Sequence, residues 1–268
     1  MSQMWMEECL AMEEEKIRIP SSFGKLSAVI NYNGKKEGKL AILCPGYLNS
    51  KDYEDLAGLA LALAEHGYTA IRFNPTGTWD SEGDISQYNS TQYLKDIGNV
   101  LDYMLGLSHF KRILIGGHSR GGDISLIYAA RDSRVSCAVA IMPGSKRATL
   151  QAKNDDWEKT GFQKSYRDIP GQKDKNVQFD VPLSQLEDYL KYDVEKEVGK
   201  VHVPVIFIAG ELDSVCPVGT IREIFNRSNE PKRFAIIPGV GHDYRRNANE
   251  VRMVNAAVIR LMDELGIL

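Results

Sequence analysis

KRILIGGHSRGGDISLIYAA, residues 111–130, changes its period at a single residue. Ile113, Leu114 and Ile115 form a short apolar run of buried-strand type, and Gly116 and Gly117 close it. From Arg120 onward Ile124, Ile127 and Tyr128 recur at helical spacing. A strand, a sharp turn and a helix therefore follow one another without a linker, and Ser119 sits on the bend.

The frame Gly117-His118-Ser119-Arg120-Gly121 is G-x-S-x-G, the pattern of a serine held in a strained conformation between strand and helix. Glycine is needed two positions to either side, because a Cβ there would collide with the neighbouring strand or helix. The plainer alternative is a βα turn whose serine caps the helix. His118, next to the serine in sequence, points elsewhere at such a turn and is read as packing.

Working outward, the same alternation recurs. Lys16–Pro20 and Leu26–Tyr32 read as strands joined by a Ser-Ser-Phe-Gly turn, after a frayed acidic start. Leu40–Cys44 is an apolar run buried on both faces, ending at Pro45-Gly46. Leu56, Leu59, Ala60, Leu63 and Ala64 mark a helix closed by Gly67, and Thr69–Phe73 is the next strand. After a turn-rich loop to Gly83, Tyr93, Ile97, Val100, Leu101 and Met104 mark a helix leading into the 111–130 stretch. Beyond it come a strand at Val135–Ile141, a strand at Val203–Ala209, a helix at Val218–Phe225, a strand at Phe234–Ile237 and a helix at Val251–Leu265. Strands alternating with helices imply a mostly parallel, twisted α/β sheet with helices on both faces. The rhythm breaks once, at about 145–200, in a polar, charge-mixed stretch too long to be structureless. It is expected to be a small cap or lid within a single domain spanning 1–268.

Composition bounds the function. Of 268 residues, 43% are apolar and 26% charged, as in a globular protein with a full core, and a net charge of −3 gives no reason to expect nucleic acid or an anionic membrane as partner. The N-terminal residues have neither a basic n-region nor an apolar h-region, and no run approaches the roughly 18 apolar residues of a membrane span. Cys9, Cys44, Cys137 and Cys216 are widely spaced and suit free thiols in a reducing cytoplasm. Nucleotide-binding glycine motifs and clustered metal ligands are both missing from the sequence, so no cofactor and no metal are expected.

A serine hydroxyl needs a base within hydrogen-bond reach, itself oriented by a carboxylate. Of five histidines, His242 has the setting, in the glycine-rich loop Ile-Pro-Gly-Val-Gly-His just beyond the last strand. Asp213 follows a strand in Gly-Glu-Leu-Asp, at the edge where α/β sites gather. Glu211 competes with it, but Asp213 lies later in the turn. Acyl transfer also needs two backbone N–H donors for the developing oxyanion, and Tyr47 and Arg120 are placed to give them. Gly46 permits the close approach.

Together these residues resemble an α/β-hydrolase, similar to the compact cinnamoyl esterase, monoacylglycerol lipase and serine aminopeptidase-like branch. The resemblance runs from about Leu40 to the C-terminus, through Pro45-Gly46-Tyr47, Arg72-Phe73-Asn74, the Gly117–Gly121 frame, Gly210 to Asp213, and Pro238-Gly239 with His242. It implies Ser119 as nucleophile, Asp213 as acid, His242 as base, and Tyr47 and Arg120 as oxyanion donors. Two departures are Pro45, where these families usually carry histidine, and Arg120, where many have Met or Gln. The Arg120 side chain is expected to pair with Asp123 or Glu211, or to meet a substrate carboxylate. The expected activity is that of a carboxylesterase on small soluble acyl or aryl esters, because the 145–200 stretch lacks the broad apolar face of an interfacial lid. Trp157, Phe162 and Tyr166 are the candidate residues to grip the substrate. The alternatives are a non-catalytic ligand-binding protein of the same fold, or a peptidase, amidase or thioesterase using the same triad.

Overall fold

The protein is represented by a computed structural model that describes residues 12–144 and 159–268. A hairpin of β1 (Met12–Ser21) and β2 (Gly24–Asn33) opens the described residues and forms one edge of an eight-stranded sheet. β3 (Gly38–Cys44), α1 (Glu54–Glu65), β4 (Thr69–Phe73), α2 (Ser90–Leu107), β5 (Phe110–His118), α3 (Arg120–Ala129) and β6 (Cys137–Ile141) then alternate. An insertion follows, with β7 (Phe162–Ile169), β8 (Gln172–Pro182), α4 (Leu183–Tyr189) and α5 (Val194–Glu197). The sheet resumes with β9 (Val205–Gly210), α6 (Val218–Arg227), β10 (Lys232–Ile237) and α7 (Ala248–Glu264).

The strand order is β1-β2-β4-β3-β5-β6-β9-β10. From β4 to β10 every pairing is parallel, and β2 runs against both of its neighbours. β4, β6 and β9 are buried along their whole length, and in β6 and β9 the sequence is accordingly a continuous apolar run with no alternation. The frayed acidic start is corrected here: Glu13, Glu14 and Glu15 belong to β1, paired with Tyr32, Asn31 and Ile30. An edge strand needs only its backbone ladder, and these carboxylates are met by the Tyr32 hydroxyl, Arg72 and Lys36.

This topology fixes where a site can form. The chain steps outward from β3 to β4 and then returns past β3 to β5, so the loops leaving β3 and β5 diverge over one crevice at the carboxyl edge of the sheet. The insertion is tied to that same edge. Its β7–β8 hairpin turns at Pro170-Gly171, where Gly171 takes a φ of 74°. It is anchored to the segments following β3, β4 and β10: Tyr53 donates to the Asp168 carbonyl (2.6 Å), Trp79 packs edge-on against Phe179 (5.6 Å), and Arg245 forks onto the Asp168 carboxylate (2.9 and 2.6 Å). Asp188 accepts from the N–H and hydroxyl of Thr91 in the first turn of α2, where the helix dipole favours an anion. Among the described residues no helix is long and apolar enough to cross a membrane.

Candidate active site

Ser119 follows β5 directly with φ 53° and ψ −122°, a conformation that non-glycine residues rarely adopt. Its N–H donates to the Ile141 carbonyl (2.8 Å), and its own carbonyl accepts from Gly122 and Asp123 at the start of α3 (2.8 and 3.1 Å). The flanking glycines have the steric reason the motif implies. A Cβ on Gly117 would lie 2.2 Å, and one on Gly121 2.0 Å, from the carbonyl oxygen of Cys44 on the adjacent β3. Four non-glycine residues among those described have positive φ: Leu48, Trp79, Ser119 and Met142. They lie in the segments leaving β3, β4, β5 and β6, so backbone strain is gathered at one edge of the sheet, as at sites built for function.

The loop after β10 turns at Gly239 (φ 70°) and brings His242 over that edge. His242 Nε2 lies 3.0 Å from Ser119 Oγ, and Nδ1 lies 2.7 Å from Asp213 Oδ2. The Asp213 side chain is fully buried in the turn after β9, and its Oδ1 accepts the N–H groups of Val215 and Cys216, both at 2.8 Å. A carboxylate so placed only accepts, so Nδ1 carries the proton and the Nε2 lone pair faces the serine. Glu211 instead takes the Gly239 N–H (2.8 Å) and shapes the histidine loop without touching His242. His118 packs its ring against His242 (4.7 Å) and Tyr244 (5.2 Å). Burial, with the nearby His242 and Arg245 charges, holds its pKa well below the usual range. It is a neutral ring, 3.6 Å from a buried Asp55 whose own pKa burial raises to about 6. Asp213, Cys216 and His242 offer ligand atoms within 4.8 Å of one another, as a metal would require. The fit is poor: Asp213 and His242 are hydrogen-bonded to each other, and burial pushes the Cys216 thiol up, away from thiolate.

The segment Pro45–Asn49 lies against the serine turn: a Cβ on Gly46 would sit 3.3 Å from the His118 carbonyl. The N–H groups of Tyr47 and Arg120 find no acceptor among the described residues. At Pro45 the loop is held by the Tyr93 hydroxyl, which donates to the Pro45 carbonyl (2.9 Å). The expected Arg120 ion pair is corrected: neither Asp123 nor Glu211 lies within ion-pair distance of it. Only 7% exposed, the guanidinium donates to Ser90 Oγ (2.9 Å) and lies 5.6, 5.3 and 5.1 Å from the ring centroids of Tyr47, Tyr88 and Tyr189. Aromatic faces take the place of a carboxylate around a weakly hydrated cation.

Of the insertion residues expected to grip substrate, two are described. Trp157 lies outside the described residues. Phe162 and Tyr166 are 38% and 56% exposed on the outward face of β7. Side chains alternate along a strand, and the inward face belongs to Ser165, opposite Phe179. The residues that join the insertion to the site, Arg167 and Asp168, escaped the sequence reading. The Pro170-Gly171 turn beside them was the available signal.

The pattern of the alpha/beta hydrolase fold matches residues 40–172. The chain is 31% identical to an uncharacterised Mycobacterium tuberculosis protein, over 86% of this chain and 72% of that one. It is 24% identical to a Penicillium polyketide transferase, grgF, over 79% and 83%, and 21% identical to the mitochondrial palmitoyl-protein thioesterase ABHD10 of Rattus norvegicus, over 87% and 77%. Among solved structures, Est1E from Butyrivibrio proteoclasticus with bound ferulic acid superposes with a TM-score of 0.79 at 20% identity, covering 92% of this chain and 98% of that one. This chain belongs to the alpha/beta hydrolase fold family.

Proposed function

We propose that the protein is a serine hydrolase of carboxylic esters, acting through a covalent acyl-enzyme. The observation that carries this reading is the unbroken hydrogen-bonded line from Ser119 Oγ through His242 to Asp213. In the first half-reaction Ser119 Oγ bonds to the ester carbonyl carbon while His242 Nε2 takes its proton. The carbonyl oxygen becomes an oxyanion that the N–H groups of Tyr47 and Arg120 receive. Collapse expels the alcohol, protonated by His242, and water then repeats the sequence to release the acid. Asp213 stays ionised and holds the imidazole in the required tautomer.

Small, soluble acyl or aryl esters are the proposed substrates. The charged composition of the insertion supports this: on the outward face of β7 the exposed Phe162 and Tyr166 are separated by Lys164, with no sustained apolar stripe for docking on lipid. Three buried free thiols, Cys44, Cys137 and Cys216, are in keeping with a cytoplasmic setting. Thioester cleavage by the same residues is the second reading, favoured by the relative named as a thioesterase. A panel of matched esters, thioesters and amides, each assayed below and above its solubility limit, tests both. The ester reading expects kcat/KM highest for soluble short-chain or aryl esters. A preference for thioesters installs the second reading, and a rate jump at the emulsion interface overturns the soluble-substrate assignment.

A further inference from the structure

The Tyr47 N–H is useful only if the Gly46–Tyr47 peptide and the Tyr47–Leu48 peptide after it are held still, and the local backbone bonds only the first of them, through the Gly46 carbonyl. Gly46 lacks a Cβ and turns freely, and Leu48 sits at φ 56°, a left-handed value that a leucine leaves when released. Four hydrogen-bonding groups pin this segment. The Asn49 N–H donates to the Gly46 carbonyl (3.0 Å), the Leu48 N–H to the Tyr88 hydroxyl (3.1 Å), and Trp79 Nε1 to the Leu48 carbonyl (3.0 Å). The fourth comes from the insertion: Arg167 Nε and Nη2 both donate to the Tyr47 carbonyl (3.3 and 3.0 Å). The Arg167 guanidinium also lies 5.6 Å from the Tyr47 ring centroid, as Arg120 does, so two cations sit against one tyrosine.

Arg167 is itself placed by its neighbour. Asp168 is gripped by Arg245, three residues beyond His242, and its carbonyl accepts from Tyr53. Two consecutive residues of β7 thus bind the loop of the oxyanion donor and the loop of the base.

We propose that Arg167 is a positioning residue for the oxyanion hole, fixing from the insertion the Tyr47–Leu48 peptide next to the donor N–H, so that the hole is complete only while β7 is docked. This rests on the serine hydrolase reading above. Arg167 touches neither the reacting atoms nor the triad, so its loss should show in the transition state and spare ground-state binding.

The test compares wild type, Arg167→Met and Arg167→Lys with a soluble aryl ester and with a trifluoromethyl ketone, whose carbonyl accepts Ser119 Oγ and becomes an oxyanion. Removing a whole oxyanion donor typically costs about 100- to 1000-fold in kcat, so loosening one should cost about 10- to 100-fold. Arg167→Met should lower kcat by that factor with KM within about threefold, and should raise the ketone inhibition constant by about the same factor. Arg167→Lys, which keeps the charge and one donor but not the fork, should fall between the two. A folded Arg167→Met with kcat within twofold of wild type, or with its loss confined to KM and the ketone constant unmoved, would overturn the inference. If Arg167→Met does not fold, Arg167→Lys decides by the same criteria. A wild type that neither hydrolyses the ester nor binds the ketone would remove the hydrolase reading, and the inference with it.

Discussion

Asp123, in the first turn of α3, accepts from Tyr189 at 3.3 Å and faces Gly144, with no cation in ion-pair contact among the described residues. Burial raises its pKa to about 7, against smaller opposing effects from Tyr189, the Gly144 N–H and the Arg120 and His242 charges. The folded state therefore holds a proton that the unfolded chain releases near the ordinary aspartate pKa of about 3.9. Stability should fall as pH rises from about 4 to about 7 and level off above. Asp123→Asn, which needs no proton, should melt at least about 3 °C above wild type at pH 8, the shift expected for about 1 kcal/mol in a chain of this size. The advantage should vanish at pH 4, and a pH-independent difference would contradict this assignment. At Gly121 the constraint is steric: Gly121→Ala puts a Cβ 2.0 Å from a carbonyl oxygen on β3. It should cost about 3 kcal/mol or more by urea unfolding, or prevent folding. The glycines around Ser119 were legible in the sequence because their reason is local. The Arg120 environment was not, because its three tyrosines come from positions 47, 88 and 189, which only the fold brings together.

At the scale of elements, the parallel strands were readable because burial on both faces leaves an unmistakable apolar run, as in Val205–Gly210. The hairpin inside the insertion was not: it buries one face only, against Trp79 and the Tyr47 loop, and its aromatics divide between the two faces. Phe179→Ala should destabilise the protein by about 3 to 5 kcal/mol, since it empties a buried site against Trp79. Phe162→Ala and Tyr166→Ala should each change stability by less than about 0.5 kcal/mol and leave kcat/KM within about twofold. Chemical unfolding and steady-state assays on the three variants check this. A large kinetic effect at Tyr166 would return the outer face of β7 to the substrate wall.

At the scale of the molecule, one sheet edge collects four strained residues, Ser119 among them and each from a different strand end, together with the histidine loop and the docked hairpin. That convergence follows from the strand order, in which β3 and β5 are neighbours although a helix, a strand and a second helix separate them in sequence. The order of Ser119, Asp213 and His242 along the chain was visible beforehand; the distances that join them were not. Nucleophilic reaction at Ser119 is the central claim, and labelling by a fluorophosphonate tests it most directly. Wild type should take up one phosphonyl group per chain, located at Ser119 by peptide mass spectrometry. Ser119→Ala should take up none and lose about 10,000-fold or more of its ester turnover. A wild type that stays unlabelled, or a Ser119→Ala variant that still labels or turns over at the wild-type rate, would contradict it.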